Sequence, residues 1–317
     1  MKKEKYTALI ILNYNNYEDT INCIESVEKF NTSTIKVIVV DNGSKREGAV
    51  EAIDKQLQAR YAGRYLRVSD KENTSSLPYM TFVVSERNDG YAQGNNKGLK
   101  FAYQDDSIEN ILILNNDVLF VEDMIGKLID YQQKLPLCAI VSPILYKKNM
   151  VGLDLNCARL NHTNWEVVLM FLFHSKNFFG VRTRSEKRRC LLLHDLSENE
   201  EVLNVDLPSG SCMLFKKSLM NDIQIFDDHT FLYFEENILF KQIAHIGKKN
   251  YVVKDIKCIH LGASSTSKSR NSFVARKGLE SADYYLHRYC NMSIIQKVVW
   301  SIAKSLFILK LNTIRRK

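Results

Sequence analysis

Short apolar runs alternate with a helical pattern along the first third of the chain. Residues 8–12 are apolar, and apolar side chains recur every three or four positions over residues 17–30, as on an amphipathic helix. Residues 35–40 form a β-branched run, and residues 80–84 and 111–114 have the same strand-like character. Strands that alternate with helices predict an α/β fold, in which a mostly parallel mixed sheet is flanked by helices.

Polar side chains directly follow these apolar runs. Asn13 follows the first run, Asp41 follows the second, and Asn115, Asn116 and Asp117 follow the run at 111–114. Open α/β sheets bind ligands at the carboxyl ends of their strands. The sequence therefore predicts that these side chains line one ligand site.

Residues 88–98 contain three glycines that are spaced four residues apart, with side-chain amides between them. Glycine lets the backbone come close to a ligand, and a helix predicted at residues 94–103 would direct N-terminal amides at an anion. The spacing differs from Gly-x-Gly-x-x-Gly, and no Gly-x-x-x-x-Gly-Lys-Ser/Thr segment occurs, which argues against a dinucleotide or P-loop site. A nucleotide-sugar site agrees better with this pattern.

These motifs resemble those of the family 2 glycosyltransferases of the GT-A fold. The matching segments are residues 40–44, Asn88 with Gly90, Asn96 with Gly98, residues 114–117, residues 209–217, residues 226–236 and His260. Bacterial enzymes that build O-antigen, capsule or other surface polysaccharides, rhamnosyltransferases among them, look most similar. The resemblance implies a Rossmann-like nucleotide-binding half joined to an acceptor-binding half.

The resemblance also implies a reaction: inverting transfer of a sugar from a UDP- or dTDP-sugar to an acceptor hydroxyl. A carboxylate within hydrogen-bond reach suffices as the base. Glu236 takes this role by resemblance, and Glu235 is a rival because the family more often has Glu-Asp here. The nucleotide and donor sugar would contact Asn13, Asp41, Asn88, Gly90, Asn96, Asn115, Asn116, Gly210 and Ser211.

Departure of a nucleoside diphosphate leaves negative charge that requires a divalent cation or a fixed positive charge. By resemblance, Asp117 and His260 would hold Mg²⁺ or Mn²⁺, both of which accept hard oxygen ligands. Asn115 and Asn116 stand where the first acid of the usual Asp-x-Asp pattern would be. This exchange lowers the negative charge available to the cation.

The chain has 317 residues and 45% hydrophobic content, enough for the core of one extended α/β domain. We predict a glycosyltransferase domain at 1–290, with a nucleotide-sugar half at 1–120 and an acceptor and catalytic half at 121–290. Residues 291–317 form a basic amphipathic extension. Residues 146–206 match the family least and are expected to shape the acceptor site.

The net charge of +8 is concentrated at residues 182–189 and 294–317. A basic, aromatic-bearing C-terminal helix is typical of contact with an anionic membrane surface, and an acceptor on a lipid diphosphate at the inner leaflet would suit that location. The same pattern fits a helix packed on the domain, or on a second copy in a homodimer. The longest apolar run, residues 167–173, is too short to span a bilayer.

Seven scattered cysteines form no close pair, which predicts reduced thiols and a cytoplasmic enzyme. Together with the basic C-terminal segment, this predicts peripheral association with the cytoplasmic face of the membrane. Three other functional classes share features with this sequence. A sugar nucleotidyltransferase would have a Gly-rich basic loop where residues 13–16 stand. A nucleic-acid partner is not expected because no binding motif is recognised. A degenerate nucleotide- or surface-binding protein remains an alternative.

Overall fold

The computed structural model describes residues 4–148, 150–173, 190–191, 201–262 and 272–314. The basic clusters at 182–189 and 315–317 lie outside the described residues. The strands are β1 (Tyr6–Asn13), β2 (Ile35–Asn42), β3 (Tyr65–Ser69), β4 (Met80–Ser85), β5 (Ile108–Asn115), β6 (Val118–Phe120), β7 (Cys138–Tyr146), β8 (Ala158–Arg159), β9 (Val202–Val205), β10 (Leu207–Pro208), β11 (Cys212–Lys216) and β12 (Lys249–His260). The helices are α1 (Tyr17–Phe30), α2 (Ala49–Arg60), α3 (Gly90–Gln104), α4 (Ile125–Lys134), α5 (Asn164–Leu172), α6 (Glu235–His245), α7 (Ser272–Tyr289) and α8 (Ile294–Ile314), with a 3-10 helix at Lys217–Asn221.

Within the described ranges, ten strands form one sheet in the order β3-β4-β2-β1-β5-β11-β7-β12-β6, and β9 also pairs with β12. In the part of this order that runs β3-β4-β2-β1-β5, each strand is parallel to its neighbours, and β12 is parallel to β7. Strand β11 is antiparallel to β5 and to β7. The predicted α/β fold with a mostly parallel mixed sheet is therefore confirmed.

The central strands are apolar because both of their faces are covered. On β1, Leu9 and Ile11 belong to one core cluster and Ile10 belongs to the other, as the two-residue period of a strand requires. Helices α1, α2 and α4 contribute to the first cluster, and α3, α6 and the 3-10 helix contribute to the second. The continuous apolar runs thus reflect a sheet with helices on both faces.

A third cluster joins α5, α6, α7 and α8. Phe171 of α5 packs edge-on against Trp300 of α8, with ring centroids 5.4 Å apart, and Trp300 also donates a hydrogen bond of 2.7 Å to Asp283 of α7. Phe234, which directly precedes α6, and Ile238 within α6 lie in the same cluster. The predicted C-terminal amphipathic helix is present as α8, and it packs on the rest of the chain through one side.

The prediction that helix α3 begins near Gly94 is wrong, because it begins one turn earlier, at Gly90. The glycines at 94 and 98 bring the helix close to the sheet. A Cβ at Gly94 would lie 2.8 Å from the side chains of Asn42 and Leu12, and one at Gly98 would lie 2.6 Å from Ile10. Spacing by four places both glycines on the helix face that packs on β1 and β2.

Gly90 is the tightest of these positions, and its φ is +84°. A Cβ there would lie 2.1 Å from the carbonyl oxygen of Phe231. Gly90→Ala should therefore lower the free energy of unfolding by about 3 kcal/mol or more, because a left-handed conformation and a backbone overlap both oppose it. Urea denaturation measures this loss.

Gly152 is the matched control, since its φ is +88° and a Cβ there would meet nothing within 4 Å. Gly152→Ala should lose only about 1–2 kcal/mol, the cost of the left-handed conformation. Equal losses in the two variants would contradict the proposed contact at Gly90.

Candidate active site

The carboxyl ends of β1, β2 and β5 gather the polar side chains that the sequence predicted would meet. Asn13 is opposite Asp41 in the β1–β2 register, and Asn13 Nδ2 donates a hydrogen bond of 2.7 Å to Asp41 Oδ2. Ser44 also donates to Asp41, through its backbone N–H at 2.9 Å and its hydroxyl at 2.6 Å. Asn13 and Asp41 are fully buried. Asp41 thus fixes the turn after β2, and further lone pairs remain on its carboxylate.

A second network positions the loop that precedes α3. Asn42 Nδ2 donates to Asn88 Oδ1 at 3.0 Å and to the carbonyl of Gly90 at 2.9 Å. Lys97, which reaches back from α3, donates to Asn42 Oδ1 at 3.1 Å and to Asp89 at 2.8 Å. Asn88 and Gly90 are therefore held at the end of β2, beside Asn42, the residue that follows Asp41.

Asn96 and Asn116, two further predicted nucleotide contacts, donate hydrogen bonds to other parts of the protein. Asn96 Nδ2 donates to the carbonyl of Phe226 at 2.8 Å and to Asp228 at 2.6 Å, so it ties α3 to the segment before α6. Asn116 Nδ2 donates to the Asn16 carbonyl at 3.1 Å and to Thr20 at 3.0 Å, at the start of α1. Asn96 is therefore directed away from Asn13 and Asp41, whereas Asn116 joins the network of Asn13 through Thr20, whose hydroxyl donates to Asn13 Oδ1 at 3.0 Å.

Asp117 lies next to a histidine that two carboxylates share. His260 Nε2 is 3.5 Å from Asp117 Oδ1, and His260 Nδ1 is 2.8 Å from Asp154 Oδ2. Burial alone would lower the pKa of His260, but the hydrogen bonds and charges of Asp117 and Asp154 outweigh burial and raise this pKa to about 10. At neutral pH the imidazole is therefore a fixed positive charge at the carboxyl edge of the sheet.

The turn at residues 209–211 connects this charge to the glutamates. Ser211 Oγ is 3.2 Å from His260 Nε2 and 3.3 Å from Asn115 Nδ2. The adjacent residue, Gly210, donates its N–H to Glu236 Oε1 at 3.2 Å, and its carbonyl accepts a hydrogen bond of 2.6 Å from Tyr91. A Cβ at Gly210 would lie 2.9 Å from Glu236 Oε1, so only glycine lets the carboxylate come this close.

The neighbouring glutamates have different environments. Glu235 is buried, and no hydrogen-bond partner reaches its Oε1. Burial, reinforced by the charge of Glu236, raises the pKa of Glu235 to about 8, so this carboxyl carries a proton at neutral pH. Glu236 is only half-buried. Of the two carboxyl groups, Glu236 is the one that an acceptor can reach.

Backbone strain and a set of braces position α6. Tyr233 and Phe234 have φ of +72° and +70°, a conformation that is unfavourable for side chains of this size. Ser281 of α7 donates to the carbonyl of Leu232 at 3.0 Å. Asp227 accepts hydrogen bonds from Tyr284 at 2.9 Å and Tyr289 at 2.6 Å, which lie in and at the end of α7. Helix α7 thus holds the segment that presents the glutamates.

Several of these residues were missed from the sequence. Asp154 has no motif around it and is brought to His260 by pairing of β12 with β7. Tyr91 and Lys97 lie within the glycine-rich segment, and Asp227 lies within the segment that ends in the glutamates. Their place in those segments was a usable signal. One partner of each, however, lies more than 50 residues away: Gly210 for Tyr91, Asn42 for Lys97 and Tyr284 for Asp227.

The donor set can accommodate a divalent cation only with help from a ligand. Within the part of the chain that the structure describes, no three His, Cys, Asp or Glu side chains are grouped as a metal site. Magnesium is commonly held by one or two carboxylates together with substrate phosphates. The Asp117 carboxylate, beside His260 and Ser211, fits that arrangement.

The environment of His260 predicts a specific pH dependence of stability. Because its folded pKa is raised, its stabilisation is complete below the unfolded pKa of about 6.5 and is lost as pH rises toward 10. Melting temperatures from pH 6 to pH 10 should show a large deficit of His260→Gln relative to the original protein at low pH, and this deficit should shrink as pH rises.

His287, an exposed histidine 3.4 Å from Asp283, provides the control. His287→Gln should change the melting temperature little at any pH, since solvent screens the charge of an exposed histidine and Asp283 keeps its contacts with Lys304 and Trp300. A deficit of His260→Gln that stays constant across this range would contradict the assigned charge.

Comparison of the sequence with known proteins identifies the family of this chain. The chain is 25% identical over 230 residues to the low-salt glycan biosynthesis hexosyltransferase Agl10 of Haloferax volcanii, and this region covers 72% of the chain and 58% of that protein. The chain therefore matches less than two thirds of the relative's length. The sequence profile described as "Glycosyl transferase family 2" matches residues 8–223, which is more than half of the chain. The chain belongs to glycosyl transferase family 2.

Proposed function

We propose that this member of family 2 is a glycosyltransferase, and that it moves a sugar, with inversion, from a nucleoside-diphosphate sugar to a hydroxyl of a saccharide acceptor. The observation that carries the proposal is the turn at 209–211, which joins Glu236 on one side to His260, Asn115 and Asp117 on the other. One loop thus lies between a carboxylate that can accept a proton and a group of polar side chains that can face a diphosphate.

Glu236 is the proposed base. In one displacement the acceptor oxygen forms a bond to the anomeric carbon, the bond from that carbon to the phosphate oxygen breaks, and the hydroxyl proton passes to Glu236. The nucleoside diphosphate departs with the electron pair of the broken bond. Glu235 is the weaker candidate because it is buried and already protonated at neutral pH.

The donor is proposed to lie along the carboxyl edge of the sheet. Asp41 and Asn13 would face the base or ribose of a uridine or thymidine nucleotide, and Asn88, Gly90, Asn115 and Gly210 would border the diphosphate and sugar. Asp117 would hold Mg²⁺ or Mn²⁺, which would supply positive charge to the leaving phosphate. The predicted ligand role of His260 does not fit a protonated imidazole, because both of its ring nitrogens carry protons. The protonated His260 would add a second positive charge beside the leaving phosphate. The role of Asn96 is less well supported because its amide bonds to the segment before α6. Asn116 would border the donor site beside Thr20 and Asn13.

The acceptor is proposed to be a saccharide on a lipid diphosphate, used in building a surface polysaccharide at the cytoplasmic face of a membrane. The basic C-terminal segment supports this choice, since positive charge and apolar side chains suit an anionic lipid surface. The relative's name, a hexosyltransferase of glycan biosynthesis, supports a hexose or deoxyhexose donor.

Replacement of each glutamate by glutamine tests the assigned base. Glu236→Gln should reduce the transfer rate by about 10²–10⁴-fold, the usual contribution of a general base, and should leave nucleotide binding near normal. Release of the nucleoside diphosphate, measured with an acceptor preparation, gives the rate.

Glu235→Gln is the matched control, because glutamine resembles the protonated carboxyl that Glu235 already has at neutral pH. It should retain most of the activity. Retained turnover in Glu236→Gln together with lost turnover in Glu235→Gln would reverse the two roles.

A further inference from the structure

Helix α8 has a second apolar side that faces solvent. Its inner side buries Trp300 and Ala303 in the third core cluster, and Leu311 is buried as well. A row of side chains on the outer side is between 44% and 67% exposed: Ile295, Val298, Ile302, Leu306 and Leu309. These positions recur at intervals of three and four residues, so they form one stripe along the helix. We call this row the outer stripe.

An exposed apolar row of this length marks a surface that contacts a membrane or another protein. The neighbouring helix α5, whose Phe171 packs on Trp300 and Phe307, adds the exposed side chains of Trp165 and Leu169. Tryptophan is typical of the boundary between lipid and water. Within the described residues, no helix is both long enough and apolar enough to cross a bilayer.

Charge distinguishes between the apolar partners. Residues 284–317 contain no Asp or Glu, and they contain seven basic residues: Arg288, Lys297, Lys304, Lys310, Arg315, Arg316 and Lys317. This segment therefore accounts for most of the net charge of +8. Two copies of such a segment placed face to face would repel each other, whereas an anionic lipid surface attracts it.

The outer stripe also has a fixed relation to the proposed base. Trp300 and Ala303 on the inner side of α8 lie in the same cluster as Phe234 and Ile238. Phe234 directly precedes Glu235, the first residue of α6. The inner side of α8 and the helix that carries Glu236 therefore share one packed cluster.

We propose that the outer stripe of α8 docks on the surface of an anionic membrane, with the exposed Lys297 and Lys310 of the same helix at the headgroups. Docking would hold α6, and with it the glutamates, at a fixed height above the lipid. This inference specifies the surface for the proposed membrane contact, and it rests on that contact rather than on the transfer reaction.

Flotation of the full chain with vesicles tests the inference. The protein should bind vesicles of phosphatidylglycerol and phosphatidylcholine, and should bind poorly to phosphatidylcholine alone or at high salt. Ile302→Glu should weaken binding about tenfold or more, because it places a charge where apolar area would be buried. Leu137→Glu is the matched control, since Leu137 is 62% exposed and precedes β7, outside the cluster of α5 to α8. That variant should bind like the original protein.

Three outcomes would overturn the inference. They are absence of vesicle binding at low salt, unchanged binding of Ile302→Glu, and a dimer in sedimentation that Ile302→Glu dissociates without any vesicle binding. Failure of the proposed function is distinguishable, because loss of donor binding in a thermal melt would leave vesicle binding intact.

Discussion

The antiparallel position of β11 between β5 and β7 is the constraint on which the candidate site depends. Cys212 pairs with Leu114, so the start of β11 lies beside the end of β5. A parallel strand in this position would place its end, rather than its start, at that edge. The turn at 209–211 is consequently delivered to the same edge as Asn13 and Asp41. Its Gly210 then meets Glu236, and its Ser211 meets His260.

The electrostatics at this edge follow from the same placement. His260 is the last residue of β12, and it carries its positive charge between Asp117, which follows β5, and Asp154, which follows β7. On the other side of the turn at 209–211, Glu235 is kept neutral by burial, while Glu236 is only half-buried. A fixed cation and an accessible carboxylate thus lie on opposite sides of one loop, which is the separation of roles that displacement of a phosphate by a hydroxyl requires.

The sequence predicted most of the strands and helices of the nucleotide-binding half. It predicted few of the contacts that complete the site. The runs before Asn13, Asp41 and Asn115 could be identified because strands buried on both faces are continuously apolar. The start of α3 was misplaced because glycine is a poor helix former, and only packing against β1 explains Gly94 within the helix. Asp154 could not be foreseen, since its contact with His260 joins residues 106 positions apart.

The central claim is that the carboxyl edge of the sheet binds a nucleoside-diphosphate sugar together with a cation. Thermal unfolding against uridine, thymidine, guanosine and cytidine diphosphates and their sugars, with and without Mn²⁺, tests it most directly. A ligand that binds only the folded state raises the free energy of unfolding by mass action, by about 2.7 kcal/mol at one hundred times its Kd. The melting temperature rises as a consequence. The account predicts a rise that is selective for one base and larger with Mn²⁺. No rise with any nucleotide under either condition would contradict it.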